Sequence, residues 1–347
     1  MLLHCASGRH TTMLAAAAAR SATRTVTVST RRHMSVRPEE PKPKPSSADT
    51  NALNQPPVPR KKVTLSTLSS MNAKKTPITM ITAYDYPTAL ACSSTPLTDI
   101  TLIGDSLAQV CLGLPSTTQL TLDEMIHHSR AVTRGTTHPL LVADMPFGSY
   151  QVSSERALLN ALRLIKEAHV EAVKLEGGAE IAPTVRRLVD AGIPVMAHIG
   201  LQPQKHTSLS GYKVQGRSVE SARRLIHDAL ALQEAGAFST VVEAVPRELG
   251  KYVTEQLKIP TIGIGAGPWT SGQVLVLNDL LGTWSGHKAK FVRRFANLKD
   301  VRDAGIHKYA EAVRDQSFPD PETESYTIDP RVWERFLEAE QKDGRGI

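Results

Sequence analysis

The stretch Ala172-Val173-Lys174-Leu175-Glu176-Gly177-Gly178 reads as a buried strand that stops at two glycines. Side chains alternate along a strand, so Lys174 and Glu176 share one face and Val173 and Leu175 the other. A charge taken out of water is costly unless it is paired or ligates a metal. Two opposite charges on an inner face, just before a Gly-Gly break, mark the floor of a site. A structural ion pair or an exposed edge strand would use the same seven letters. Recurrence along the chain separates these readings.

From about residue 63, strand-like runs alternate with helical stretches. The runs are Ile78–Asp85, Ile100–Ser106, Leu140–Pro146, Glu171–Gly177, Pro194–Gly200, Ser239–Ala244, Thr261–Gly267 and, less clearly, Val274–Asp279. Amphipathic segments lie between most of them. Ser154–Ala168 has Ser153 or Ser154 as its N-cap, and Ala179–Ala191 and Val219–Ala235 end beside Gly192 and Gly236. The gap before the last run is short, and its helix has no evident place. Alternating strands and helices imply parallel strands with right-handed crossovers. Eight such runs fit a closed (β/α)8 TIM barrel better than an open doubly wound sheet.

A barrel of this kind carries its chemistry at the C-terminal ends of its strands. Polar residues recur there: Asp85, Asp105-Ser106, Asp144, Lys174 and Glu176, His198, and Glu243. Each follows apolar residues, so ordinary surface charge explains the set poorly. Asp85, before Tyr86-Pro87, also reads as a helix N-cap.

The net charge of +7 does not belong to the barrel. Residues 1–62 hold 11 Lys/Arg and 3 Asp/Glu, a net of +8, and the remainder holds 30 and 31, a net of −1. A nucleic-acid partner thereby loses its main support. No stretch approaches the ~20 apolar residues of a membrane span. The leader has no acidic residue before Glu39 and carries Arg9, Arg20, Arg24, Arg31 and Arg32 among Ala, Ser and Thr. That is the composition of a mitochondrial transit peptide, though a disordered basic tail would share it. The expected organisation is a transit peptide over 1–35, a flexible linker over 36–62, the barrel over 63–317 and a C-terminal tail over 318–347. Cys5, Cys92 and Cys111 have no paired spacing, and the latter two are expected to be buried thiols.

Asp105, Asp144 and Glu176 supply carboxylate oxygens with no cysteine and one nearby histidine. Hard oxygen ligands suit Mg²⁺. Such an ion in a barrel mouth can chelate a 2-oxo acid and stabilise an enolate beside the carbonyl. Lys174 would neutralise the substrate carboxylate or help hold the enolate oxygen. Glu243 is then available as the base, or else as a structural partner of Lys174 or His198.

Several motifs carry a family resemblance: Ile81-Thr82-Ala83-Tyr84-Asp85, Ile103-Gly104-Asp105-Ser106-Leu107, Val142-Ala143-Asp144-Met145-Pro146-Phe147, Val173–Gly178 and His198-Ile199-Gly200-Leu201. Gly211-Tyr212-Lys213-Val214-Gln215-Gly216-Arg217 and Ile262-Gly263-Ile264-Gly265-Ala266-Gly267 extend it. From about residue 63 to 315 the chain closely resembles ketopantoate hydroxymethyltransferases. The resemblance implies one-carbon transfer from 5,10-methylenetetrahydrofolate to 3-methyl-2-oxobutanoate, giving 2-dehydropantoate for pantothenate synthesis. It also implies a barrel of the phosphoenolpyruvate/pyruvate-type superfamily and a large homo-oligomer, a decamer. Carried over by motif, the metal ligands fall on Asp105, Asp144 and Glu176. Substrate contacts fall on Asp105, Ser106, Asp144 and Lys174, and the proton acceptor on Glu243. His198 lies in a family motif and is kept as a substrate-binding candidate.

Two departures stand out. Cys92–Asp99 is polar and broken by proline where the family has helix and a glycine turn, and Ala289 replaces a usual proline. Neither touches a site position. Gly263–Gly267 lacks the dinucleotide-loop spacing, and His127-His128 has no partner at metal spacing. Two rival functions stay open: a Mg²⁺-dependent carbon–carbon lyase, whose usual loop cysteine is not evident here, and a non-catalytic scaffold, which would tolerate a lost site residue.

Overall fold

Short runs of branched and small apolar residues form the strands β1 (Ile78–Thr82), β2 (Ile100–Ile103), β3 (Leu140–Asp144) and β4 (Ala172–Glu176). They continue as β5 (Val195–Gly200), β6 (Ser239–Glu243), β7 (Thr261–Ile264) and β8 (Gly272–Leu275). Neighbours pair in chain order, all parallel, and β1 pairs with β8 to close the barrel. The computed structural model describes residues 60–208, 210–284 and 288–344. The expected leader, the linker up to residue 59 and the stretch 285–287 lie outside the described residues.

Helix α1 (Leu65–Ala73) precedes the barrel, and α2 (Tyr86–Ser94) links β1 to β2. Next come α3 (Leu107–Val110) and α4 (Leu122–Gly135), α5 (Ser154–Ala168), α6 (Ala182–Asp190), α7 (Val219–Glu234) and α8 (Arg247–Gln256). After β8 follow α9 (Leu277–Leu281), α10 (Leu298–Arg314) and α11 (Pro330–Lys342). No helix of the described residues is long and apolar enough to cross a membrane.

The two-residue period of the strands sorts the core. Met80, Leu102, Val142, Met196, Val241 and Ile262 form one buried cluster inside the barrel, which Val63 and Leu68 join. Val173, Leu175, Ala197 and Val242 belong to a second cluster with the helices. Full burial of each Leu or Val contributes about 1.5–3 kcal/mol. On β4, Lys174 and Glu176 therefore share the inner face, as the alternation requires.

The structure corrects several sequence boundaries. β1 stops at Thr82, and Asp85 caps α2 by accepting from the Thr88 N–H, in a reciprocal capping box. The N-cap reading of Asp85 is therefore the right one. The run Val274–Asp279 splits into β8 and α9. Residues 265–271 join β7 to β8 without a helix, which is why none could be placed. Cys92 is buried but Cys111 is exposed, because α3 is a single turn that ends there. The folded chain also reaches back before residue 63: Arg60 pairs with Asp99 at 2.6 Å and Lys62 with Glu171 at 2.6 Å. His128 is structural, its Nδ1 lying 2.7 Å from the Tyr84 carbonyl.

Candidate active site

The last inward-facing residues of adjacent strands are polar, and register brings them together. Asp144 is the register partner of Lys174, Glu176 that of His198, and Gly200 that of Glu243. Gly200 has φ +91°, and a Cβ there would collide with the Glu243 carbonyl. Glycine thus lets β5 turn away directly beside Glu243. Asp105 and Ser106 follow β2. All seven expected site residues, Asp105, Ser106, Asp144, Lys174, Glu176, His198 and Glu243, line one cavity of about 200 Å³.

Within it, Lys174 Nζ lies 2.9 Å from Asp144 Oδ1 and 3.1 Å from His198 Nδ1. The Asp105 N–H donates to Asp144 Oδ2 at 2.9 Å. His198 Nε2 stands 3.2 Å from Glu243 Oε2 but off the line of a hydrogen bond, so that ring nitrogen is buried without a partner. Asp144 Oδ1 likewise accepts no aligned hydrogen bond, and the lysine meets it as an ion pair.

Electrostatics explain the strain of this arrangement. Asp105, Asp144 and Glu176 are each at most 5% exposed, with one ammonium among them. Burial, then the Asp144 charge, pushes the Asp105 carboxyl up to about 7. Burial and the Asp105 charge likewise hold Glu176 well above the usual carboxylate range. For Lys174, burial opposes the charge, but Asp144, Glu176 and Asp105 outweigh it and raise its pKa. Burial, then Lys174, pushes His198 down. The site therefore holds more potential negative charge than its lysine can balance.

That imbalance and the oxygen-only donors fit a hard dication. Among the described residues, however, no group of three such side chains already stands at metal-binding spacing. The reason is visible: Lys174 and the Asp105 N–H both engage Asp144, and Gln204 engages Asp105 and Glu176. Mg²⁺ needs only one or two direct carboxylates, since water and substrate complete its shell.

The sequence reading missed Gln204, Tyr150, Tyr84 and the rim. Tyr84 OH accepts from Thr82 Oγ1 at 2.8 Å and lies 2.8 Å from Ser106 Oγ. Burial holds that phenol above its usual range, so it stays protonated beside the Ser106 hydroxyl and fixes its position. Tyr212, stacked on His206 with ring centroids 5.6 Å apart, lines the same cavity with Gln109, Asp279 and Phe291. Tyr84 and Tyr212 sat inside quoted motifs, but nothing local marked their hydroxyl or ring as site-facing.

A closed parallel barrel whose mouth gathers buried carboxylates, a lysine and a histidine at its strand ends defines a (β/α)8-barrel enzyme. The family model described as ketopantoate hydroxymethyltransferase matches residues 62–321, and the chain belongs to that family. A Heliobacterium modesticaldum protein named 3-methyl-2-oxobutanoate hydroxymethyltransferase is 53% identical over 262 residues, covering 76% of this chain and 95% of its own length. An Emericella nidulans protein of the same name is 47% identical over 283 residues, 81% of this chain and 80% of that one. Among solved structures, a phosphonopyruvate hydrolase in complex with oxalate and Mg²⁺ matches with a TM-score of 0.50 and 12% identity. It covers 81% of this chain and 99% of the other, and at that identity the likeness concerns the fold alone.

Proposed function

We propose that this enzyme transfers a hydroxymethyl group from 5,10-methylenetetrahydrofolate to 3-methyl-2-oxobutanoate, giving 2-dehydropantoate for pantothenate synthesis. The observation that carries this reading is the row Asp144–Lys174–His198–Glu243 across β3 to β6, with contacts of 2.9, 3.1 and 3.2 Å. It joins an anion-holding lysine to a carboxylate base through one imidazole.

The reaction needs the C3 proton of the oxo acid removed and the resulting negative charge held. Mg²⁺, held through Asp105, Asp144 and Glu176, would polarise the ketone and favour that charge on its oxygen. Among the described residues Lys174 is the sole Lys or Arg lining the cavity, and it offers its ammonium to the substrate's anionic oxygens. Ser106, oriented by Tyr84, presents its hydroxyl on the β2 side. Glu243, with a side chain 14% exposed against 4% for His198, is open to the cavity and accepts the proton. C3 then bonds to the methylene carbon carried by the folate, a water supplies the hydroxyl oxygen, and tetrahydrofolate leaves.

The test is direct. Purified enzyme is incubated with Mg²⁺, 3-methyl-2-oxobutanoate and methylenetetrahydrofolate, and 2-dehydropantoate is the expected product. Cleavage of a 2-oxo acid without folate, and no 2-dehydropantoate, would instead favour the lyase.

The same reading places the enzyme in mitochondria, supported by the acid-free, arginine-bearing leader. A reporter fused to residues 1–60 should enter the organelle, and a cytosolic reporter would reject this. A homo-oligomer, a decamer, is proposed with it: α10 and α11 contain no buried residue and expose Val301, Ile306, Tyr309 and Trp333. Light scattering at the mass of a single chain would refute it.

A further inference from the structure

Gln204 lies in the 3₁₀ turn Pro203–Lys205 after β5, yet it is only 4% exposed. Its side-chain Nε2 donates to Asp105 Oδ2 at 2.9 Å and to the Met145 carbonyl at 3.0 Å. Its Oε1 accepts from Tyr150 OH at 2.7 Å. Its backbone N–H donates to Glu176 Oε2 at 3.0 Å. One residue thus bridges the carboxylates that follow β2 and end β4, across the barrel mouth.

The amide orientation is forced. One Nε2 hydrogen is spent on the Met145 carbonyl, which can only accept, and the other on Asp105 Oδ2. Turning the amide over would set Oε1 against those two oxygens and Nε2 against a phenol. Tyr150 is held in turn by the Glu176 carbonyl at 3.0 Å and the Glu176 N–H at 3.3 Å. Each carboxylate consequently has one oxygen engaged by Gln204. Among the described residues Asp105 Oδ1 and Glu176 Oε1 accept no hydrogen bond, and the nearest ring nitrogen, His198 Nδ1, is 3.8 Å from the latter. Both residues line the cavity.

We infer that Gln204 is a positioning residue that, locked by Tyr150, turns one oxygen each of Asp105 and Glu176 toward a shared divalent cation. This rests on the metal reading above. Mere satisfaction of buried polar groups would not need one residue to tie both carboxylates, Asp105 through its side chain and Glu176 through its backbone N–H. Groups that orient metal ligands are worth about 10–100-fold in affinity.

The test uses the full chain. In Gln204→Met, which keeps length and apolar bulk, Mg²⁺ affinity measured by calorimetric titration should fall about 10–100-fold. The rise in melting temperature that saturating Mg²⁺ produces should shrink, and raising Mg²⁺ should restore turnover, so the defect appears in the Mg²⁺ requirement and not in kcat. Tyr150→Phe keeps the ring but removes the hydroxyl that locks Gln204 and contacts the Glu176 backbone, and should weaken Mg²⁺ severalfold. The double variant should bind no more weakly than Gln204→Met alone. A folded Gln204→Met, or Tyr150→Phe should the former fail to fold, with the parent's Mg²⁺ affinity overturns the inference. So does a drop in metal-free melting temperature with unchanged affinity, which marks a purely structural residue. A parent that makes product yet binds no Mg²⁺ overturns the metal reading itself, and the positioning role with it.

Discussion

Lys174 Nζ lies 3.1 Å from His198 Nδ1, and this contact decides the state of the imidazole. An ammonium can only donate, so Nδ1 must be the unprotonated acceptor. The remaining ring proton is then on Nε2, the nitrogen 3.2 Å from Glu243 Oε2. Burial and the lysine both disfavour a second proton on the ring. A neutral imidazole therefore carries its one proton on the nitrogen nearest Glu243, which a small turn of either side chain would bring into line with Oε2.

Glu243→Gln should stop proton removal while leaving binding intact. The parent with Mg²⁺, and without folate, should exchange the C3 hydrogen of 3-methyl-2-oxobutanoate with deuterated water. A positioned base contributes about 10²–10⁴-fold, so exchange followed by NMR should slow by that factor. Equal exchange rates would remove Glu243 as the base.

Lys174→Met leaves the Asp144 carboxylate buried beside Asp105 and Glu176 with no cation. Removing one partner of a buried ion pair costs on the order of 3–5 kcal/mol. Denaturant melts without metal should show that loss, and added Mg²⁺ should recover more stability in the variant than in the parent. A metal-free stability equal to the parent's would contradict the charge imbalance.

Asp144→Asn should lose Mg²⁺ affinity and some stability together. Asp144 takes Lys174 on one oxygen and the Asp105 N–H on the other. An Asn has a single oxygen, so its NH₂ must face one of those two donors. A stability loss of about 1–3 kcal/mol is expected, with the larger effect on metal titration. Unchanged Mg²⁺ affinity would reject Asp144 as a ligand.

The metal-free enzyme should lose stability as pH rises from about 4 to 7. Asp105 is raised from its ordinary 3.8 to about 7, and Glu176 moves the same way, both through burial first. In that window the unfolded chain has released protons that the folded chain still holds, so rising pH favours unfolding. Mg²⁺ must displace the same protons, so its affinity should rise across the window. Asp105→Asn should flatten the metal-free slope. A slope of opposite sign, in denaturation at pH 5 and pH 7 with chelator, would refute this.

A chain beginning at Arg60 should match the full chain in stability and turnover, whereas one beginning at Thr64 should melt lower. The second loses Val63 from the barrel floor and the Arg60 partner of Asp99, a side chain 3% exposed. A hydrogen-bonded charge left without that partner costs about 1.5–3 kcal/mol. Equal melting temperatures for the two chains would show that these contacts contribute nothing.

Much of this protein is legible in local sequence, because a two-residue period is a local property. It alone places Lys174 with Glu176 and apart from Val173 and Leu175, and eight alternating runs imply the closed barrel. Strand-end position then nominates Asp105, Asp144, His198 and Glu243, and all of them reach one cavity. What sequence could not resolve depends on closure. Asp85 has the same strand-end look as Asp144, but β1 stops three residues earlier and leaves it to cap α2. Gln204 carries no signal at all in its own turn. Its role exists only because the barrel brings the ends of β2, β4 and β5 within one residue's reach, joining Gln204 to Asp105 across 99 residues of chain. Which carboxylate oxygens are tied, and which are left for a cation, is set by that long-range geometry.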